Sequence, residues 1–335
     1  MRAIHRHLAA ALLLPSLAAC APAAYDNDGE TLVGGRLAPA PAKAPDRVPV
    51  VIDSDLAPDD LAAIAYLVRH PSVEVLAITV PATGMVTCSG GVGLLGDFFA
   101  SIEADPVPVA CGETPRGEHS RPFPPPWTSA SLTSSGVDRS HAGAPPRVVA
   151  ADAATYLSRL ADRVDGLRVV ALGPLTEVAA VQRRHPASYE RLVGIISMAG
   201  IVDTESHDTD LGVGEWNAAA DADAFAEVVA GSVPLTIVPD DPVPDGRPAG
   251  VAAPVVSRLG NDPAFSPPAL WDLATAGAFT TPAAVTYESG TWEVDLGDDL
   301  GRLHRTGEGA VRVVAGLDTD LLDQAYAAVF GTDLR

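Results

Sequence analysis

Short β-branched runs alternate with helical patterns along most of the chain, and this alternation restricts the fold more than any other feature. The strand-type runs lie at 48–53, 73–80, 167–172, 192–200 and 233–239. The helical patterns between them lie at 60–70, 90–102, 175–184 and 221–230. Strands that alternate with helices predict an α/β fold with a mostly parallel, Rossmann-like sheet and helices on both faces.

Four aspartates lie between the end of the first strand-type run and the start of the next helical pattern, namely Asp53, Asp55, Asp59 and Asp60. Ligands of open α/β sheets bind at the carboxyl ends of the strands, where this cluster is expected to lie. One or two of these side chains could cap the helix that follows. Four crowded carboxylates would raise one another's pKa values and destabilise the fold unless a cation neutralised them. The cluster therefore predicts a site for a hard metal ion with oxygen ligands.

The charge balance excludes several functions. The formal net charge is −21, which argues against a nucleic-acid partner because phosphate binding needs clustered Lys and Arg. The only lysine, Lys43, lies in a Pro/Ala-rich stretch. The folded part of the chain therefore lacks the lysine that a P-loop or a Schiff-base enzyme requires.

The N-terminus has the pattern of an export signal. Two arginines precede an apolar run and small residues that end at Cys20, and Leu17-Ala18-Ala19-Cys20 resembles a bacterial lipobox. We expect residues 1–20 to be a lipoprotein signal peptide, although ordinary cleavage nearby is the alternative. Residues 21–46 are rich in Ala and Pro and predict a disordered tether, which leaves one domain at 47–335. We therefore expect an exported protein that contacts the membrane only through its lipid anchor.

Two cysteines, Cys88 and Cys111, remain in the predicted domain. In an oxidising compartment they could form a disulfide or stay as two buried thiols, and the sequence does not decide between these states. Two long Pro-rich segments, 112–146 and 240–268, interrupt the alternation of strands and helices. Irregular connections of this length predict binding loops or lids.

Four ordered segments resemble the nucleoside hydrolase family. The segment IDSDLAPDD fits the family's N-terminal signature Asp-x-Asp-x-x-x-Asp-Asp. The three segments that follow in family order are ALGPLTEVA at 171–179, GEWNAAADADAF at 214–225 and LWDLATA at 270–276. The resemblance covers roughly residues 47–335 and implies the nucleoside hydrolase fold.

The resemblance implies a calcium site and a base. Its Ca²⁺ ligands would be Asp55, Asp60, Asp272 and the carbonyl of Leu172, and Asp55 would also accept a proton from the attacking water. Asp59, Glu215 and Asn217 would bind the ribose hydroxyls. Taken singly, Asp272 could instead cap a helix, Glu215 could be a solvated loop charge and Asn217 could satisfy a turn.

The chain departs from the family pattern at two places. Many members carry His directly before the late metal-binding Asp, where this chain has Trp271, and many carry Asn or Asp where it has Gly84 and Met85. Trp271 and the flap segment PFPPPW, which ends at Trp127, are similar to the purine-preferring inosine-adenosine-guanosine branch. In that branch two indoles sandwich the base, and the alternative for Trp127 is a hydrophobic latch on a Pro-rich loop.

These features together predict Ca²⁺-dependent hydrolysis of the N-glycosidic bond of purine ribonucleosides to free base and ribose. Two alternatives stay open, namely a catalytically idle nucleoside-binding surface lipoprotein and a hydrolase of another N-ribosyl compound. The expected partner is a small-molecule nucleoside. Assembly into a homo-oligomer is compatible with the sequence, which does not fix the oligomeric state.

Overall fold

The structure, a computed structural model, describes residues 47–133, 135–139, 142–251, 259 and 269–331. The predicted signal peptide and tether, residues 1–46, lie outside the described residues, as does most of the predicted loop at 240–268 beyond residue 251. Among the described residues, no helix is long and apolar enough to span a membrane.

The strands of the described chain form one sheet. Their bounds are β1 Val48–Asp53, β2 Val73–Val80, β3 Val109–Cys111, β4 Val148–Ala150, β5 Arg168–Ala171, β6 Gly194–Met198, β7 Leu235–Val238, β8 Val285–Val294 and β9 Leu303–Leu317. Their order in the sheet is β4-β3-β2-β1-β5-β6-β7-β9-β8. Every neighbouring pair is parallel except the edge pair β8 and β9, which is antiparallel. The prediction of a mostly parallel α/β sheet is confirmed.

Helices cover both faces of this sheet. Their bounds are α1 Asp60–Arg69, α2 Cys88–Ser101, α3 Pro125–Thr133, α4 Ala153–Arg163, α5 Thr176–Arg184, α6 Pro186–Tyr189, α7 Trp216–Ala220, α8 Ala222–Val229, α9 Trp271–Thr280 and α10 Thr319–Phe330. In β1, Val50 and Ile52 pack against α1, α2, α9 and α10, whereas Val51 packs in a second core with α4, α5 and α8. A strand covered on both faces is apolar throughout, which explains its unbroken run of hydrophobic residues.

Two parts of the architecture were not expected from the sequence. The hairpin of β8 and β9 with α10 completes the sheet edge, and the segment at 112–146 contains the helix α3 rather than being irregular throughout. The two cysteines, whose state the sequence left open, form a disulfide between the first residue of α2 and the last residue of β3. This bond ties the start of α2 to the end of β3, directly before the 112–146 segment.

Candidate active site

The loop between β1 and α1 folds back so that its own side chains hold the start of the helix. Leu56 has a left-handed backbone with φ of 60°, which a residue with a side chain adopts at a cost of roughly 1–3 kcal/mol. Its backbone N–H donates to Ser54 Oγ at 3.1 Å and to Asp60 Oδ1 at 3.2 Å. Ser54 Oγ donates to the same Asp60 oxygen. These bonds engage Asp60 Oδ1 and leave its other oxygen, Oδ2, without a hydrogen-bond partner among the described residues.

Three carboxylates converge at this edge of the sheet. Oxygens of Asp59, Asp60 and Asp272 lie within 4.8 Å of one another, and the three residues are at most 7% exposed. Neither Asp60 Oδ2 nor Asp272 Oδ1 has a hydrogen-bond partner among the described residues. Buried carboxylate oxygens without partners are costly unless a cation binds them. This oxygen-only set therefore fits a hard divalent cation.

Helix capping does not account for the cluster. Asp59 occupies the N-cap position of α1 but makes no side-chain hydrogen bond to a backbone N–H there. Asp272 lies inside the first turn of α9, where the capping position belongs to Leu270. Asp59 and Asp272 therefore do not serve as helix caps through their side chains.

Asp55 lies beside this cluster in a close-fitting backbone pocket. Its Oδ2 accepts the Met85 N–H at 2.9 Å and its Oδ1 accepts the Ala57 N–H at 3.3 Å. A Cβ atom at Gly84 would lie 2.2 Å from Asp55 Cβ, and one at Gly173 would lie 2.9 Å from it, so neither position accepts a side chain. The departure at Gly84 and Met85 therefore has a structural reason, because the Met85 backbone holds Asp55 and Gly84 makes room for it.

Burial dominates the electrostatics of the site. It raises the pKa of Asp55 to about 7 and that of Asp59 to about 6, although backbone hydrogen bonds lower both values. Burial and the charge of Asp55 raise the pKa of Asp60 well above its usual range, and burial and the charge of Asp60 do the same for Asp272. Without a cation the cluster would therefore hold protons near neutral pH.

Asp53, the first aspartate of the signature, also ends buried but makes a different contact. Its Oδ1 accepts the Thr79 hydroxyl at 2.5 Å, and burial raises its pKa well above the usual range. Asp53 therefore joins β1 to β2 at the base of the site.

The loop before α7 supplies Glu215 and Asn217. Glu215 is 3% exposed and accepts N–H groups from Gly200, Asn217 and Ala218 at 2.8–2.9 Å, so it is a buried helix cap rather than a solvated loop charge. Asn217 Nδ2 donates to the Leu172 carbonyl at 2.9 Å and does not merely satisfy a turn. Because a carbonyl has two lone pairs, Leu172 retains one for a metal ion.

The two tryptophans contact different partners. Trp127, in α3, packs edge-on against Trp216 with ring centroids 5.1 Å apart, and Phe123 stacks on Trp216 at 5.7 Å. Met85 belongs to the same apolar cluster. Trp271, the first residue of α9, lies 6.0 Å from the ring of His207. The flap tryptophan therefore has a packing contact in addition to any contact with a base.

Sequence reasoning missed two charged groups at the site. His207 lies in the loop between β6 and α7, and its Nε2 is 3.2 Å from Asp240 Oδ1. Arg247 carries a positive charge that lowers the pKa of Asp59. Both residues come from loops without periodicity, where a single His or Arg gives no recognisable signal.

Comparisons with known proteins agree with this geometry. Residues 50–324 match the family model for inosine-uridine preferring nucleoside hydrolases. Among solved structures, an inosine-uridine preferring nucleoside hydrolase from Bacillus anthracis is 20% identical with a TM-score of 0.70, and the match covers 84% of this chain and 98% of that one. A purine-preferring ribonucleoside hydrolase from Gardnerella vaginalis is 17% identical with a TM-score of 0.69, covering 85% and 100%.

An inosine-guanosine nucleoside hydrolase is 19% identical with a TM-score of 0.70, covering 85% of this chain and 99% of its own. At these identities the solved structures establish the fold, and the family model establishes the membership. No curated protein matches the sequence significantly. With the family model matched across the sheet and its carboxylate edge, the chain belongs to the inosine-uridine preferring nucleoside hydrolase family and is an N-glycosidase.

Proposed function

We propose that the protein is a Ca²⁺-dependent purine ribonucleoside hydrolase that releases free base and ribose. The observation that carries this proposal is the set of buried carboxylates around Asp60 and Asp272, which have unpartnered oxygens beside Asp55 at the carboxyl edge of the sheet. Family membership fixes the reaction class, and the site residues support the finer assignment.

Asp55, Asp60, Asp272 and the Leu172 carbonyl would hold the ion, with Asp59 close enough to share it. Carboxylates and a carbonyl are the ligands that Ca²⁺ prefers, and a softer metal would favour the nitrogen or sulfur ligands that this cluster lacks. A bound divalent cation supplies positive charge that keeps the carboxylates ionised and makes a nearby water more acidic.

Asp55 is the residue best placed to act as general base. The backbone of Met85 holds Oδ2, whereas Oδ1 has only the long 3.3 Å contact to the Ala57 N–H. Oδ1 can therefore accept a proton from a water that attacks the anomeric carbon. Gly84 and Gly173 pack their backbones directly against Asp55, which is possible only because neither carries a side chain.

Asp59, Glu215 and Asn217 would bind the ribose hydroxyls. Cleavage of an N-glycosidic bond develops positive charge on the sugar ring, and carboxylates fixed around the ring stabilise that charge. Glu215 is oriented by three backbone N–H groups, so its geometry is set before substrate arrives.

Trp271 and Trp127 would bind the base by stacking. A purine offers a larger aromatic face than a pyrimidine, and base stacking on an aromatic side chain contributes roughly 1–3 kcal/mol. The neighbours from Gardnerella vaginalis and of inosine-guanosine type are named for purine substrates, which supports the same preference here.

The test is ribose release from inosine, adenosine, guanosine, uridine and cytidine by the wild type, Asp272→Asn and the surface control Asp162→Asn. We expect the purine nucleosides to be cleaved at least tenfold faster than the pyrimidine nucleosides. Asp272→Asn should be inactive and Asp162→Asn unaffected. Equal rates on inosine and uridine would remove the purine assignment, and an active Asp272→Asn enzyme would remove the metal-site assignment.

We also propose that the protein is exported and anchored to a membrane by a lipid on Cys20. The disulfide between Cys88 and Cys111 supports an oxidising compartment, since such bonds are rare in reducing ones. The basic and apolar N-terminus and the Leu-Ala-Ala-Cys segment point to the same location.

A further inference from the structure

The chain has Trp271 where many members of the family have a histidine, but an imidazole still lies at this point of the site. It belongs to His207, which comes from the loop between β6 and α7. The ring of His207 lies 6.0 Å from the ring of Trp271, at an angle of 48° between their planes. A base stacked on Trp271 would therefore be next to this imidazole.

One nitrogen of His207 faces a carboxylate and the other does not. Nε2 lies 3.2 Å from Asp240 Oδ1, within ion-pair distance, and that buried oxygen has no hydrogen-bond partner among the described residues. The side chains are only 23% and 15% exposed. Nδ1 is the ring nitrogen that does not face Asp240. A histidine held by a carboxylate through one nitrogen can donate a proton through the other.

The loop that carries His207 is held firmly by backbone contacts. The Asp241 carboxylate accepts the N–H groups of Val202, Asp203 and Thr204 at 2.5–2.7 Å, and the His207 N–H donates to the Gly214 carbonyl at 2.9 Å. Arg302, which directly precedes β9, donates to three acceptors of this loop. They are the carbonyls of Val202 and Thr204 and the hydroxyl of Ser206. A proton donor must keep its place within about half an ångström, and this network provides such support.

The charges around His207 favour its protonated form. Burial alone would lower the pKa of His207, but the close contact with Asp240 and the negative charges of Glu215, Asp240 and Asp241 outweigh it and raise the pKa above the usual value. Of the described charged groups, these three carboxylates are the ones that act on the imidazole. His207 therefore keeps its proton to a higher pH than an ordinary histidine does.

We propose that His207 is the acid that protonates the departing base, an inference that rests on the proposed hydrolase function. As the bond between the anomeric carbon and the base nitrogen breaks, its electron pair stays with the base. The base accepts the Nδ1 proton of His207 on a ring nitrogen and leaves as a neutral molecule. Water adds its hydroxyl to the anomeric carbon and its proton to Asp55. His207 then regains a proton from solvent, and Asp55 releases one.

The experiment compares two substrates that differ in their need for an acid. Inosine must be protonated to leave easily, whereas p-nitrophenyl β-D-ribofuranoside has a leaving group that departs as a stable anion. We expect His207→Gln to reduce kcat on inosine on the order of 10²-fold, the usual contribution of a general acid, and to reduce kcat on the nitrophenyl riboside less than threefold. His304→Gln, which removes a surface histidine, should leave both rates unchanged.

A second variant tests the role of the carboxylate. Asp240→Asn keeps the shape of the side chain but removes its charge, so the alkaline limb of the wild-type pH–kcat profile for inosine should move to lower pH. In His207→Gln that limb should be absent. Thermal unfolding and Ca²⁺ titration confirm that each variant is folded and binds metal.

The outcomes separate this inference from the proposed function. A wild-type protein that cleaves neither substrate overturns the hydrolase function and the inference with it. If the wild type cleaves both substrates, two results overturn the inference alone. In the first, His207→Gln is as active as the wild type on inosine; in the second, it is equally impaired on both substrates.

Discussion

The metal-free protein should lose stability as the pH rises from about 4 to about 7, because Asp55 must then ionise while buried. Its folded-state pKa is about 7, whereas an unfolded aspartate titrates near 3.8. A group whose folded pKa is raised contributes stability that is complete below the unfolded pKa and is lost as the pH rises through the folded pKa. For Asp55 alone the loss is about 4 kcal/mol across this window.

A loss of that size lowers Tm by roughly 10 °C in a domain of this length. The assay is thermal unfolding of metal-stripped protein at pH 4.5 and pH 7.5, repeated with saturating Ca²⁺ at pH 7.5. We expect the Tm of the stripped protein to fall as the pH rises, and Ca²⁺ to restore it. The carboxylates that ion pairs stabilise, such as Asp152, have lowered pKa values and lose their contribution only below about pH 4, outside this window.

Two variants isolate the source of the effect. Asp55→Asn cannot ionise at this position, so its metal-free Tm should change less between the two pH values than that of the wild type, by the share of Asp55, while Asp59, Asp60 and Asp272 keep theirs. Asp162→Asn removes a half-exposed surface carboxylate and should behave like the wild type. A stripped wild type with the same Tm at both pH values, or an Asp55→Asn protein with the full pH dependence, would refute the reasoning.

Three further predictions concern the disulfide, the indoles and the anchor. Cys88→Ser with Cys111→Ser should lower the free energy of unfolding by about 3 kcal/mol, the loop-closure value for a 23-residue separation, as measured by denaturant titration against the oxidised wild type; an unchanged midpoint would contradict it. Trp271→Ala and Trp127→Ala should each reduce kcat/KM on inosine roughly ten- to a hundredfold with Ca²⁺ affinity intact, and an indifferent variant would show that its indole only packs. Cys20→Ala should move the protein from the membrane fraction to the soluble fraction, and an unchanged distribution would argue against lipid anchoring.

The central strands could be predicted because a strand that is buried on both faces consists mostly of hydrophobic residues. β1 and β2 are mostly apolar, β-branched runs next to amphipathic helices, and their predicted bounds agree with the structure. The edge hairpin of β8 and β9 was missed because its residues alternate between partly buried and exposed positions and include several glycines and charges. β3 and β4 are only three residues long, which is too short for a period to be seen.

Part of the candidate site could also be predicted from the sequence, and part of it could not. The four aspartates at the end of β1 lie within eight residues of the sequence, so they can be recognised as a cluster. That Asp272 converges with them could be predicted only from the family pattern. Nothing in the sequence indicates that Gly84 must lack a side chain to admit Asp55, since that contact depends on how two loops meet. The pairing of His207 with Asp240 likewise joins two loops that are distant in the chain.

The measurement that tests the central claim most directly is ribose release from inosine by chelator-treated protein as Ca²⁺ is added back, at constant ionic strength and neutral pH. The account predicts no detectable turnover without metal and a saturable recovery with Ca²⁺, with no recovery in Asp60→Asn. Full turnover in the presence of excess chelator, or recovery in Asp60→Asn equal to that of the wild type, would contradict the assignment of the buried carboxylates as the calcium site of a nucleoside hydrolase.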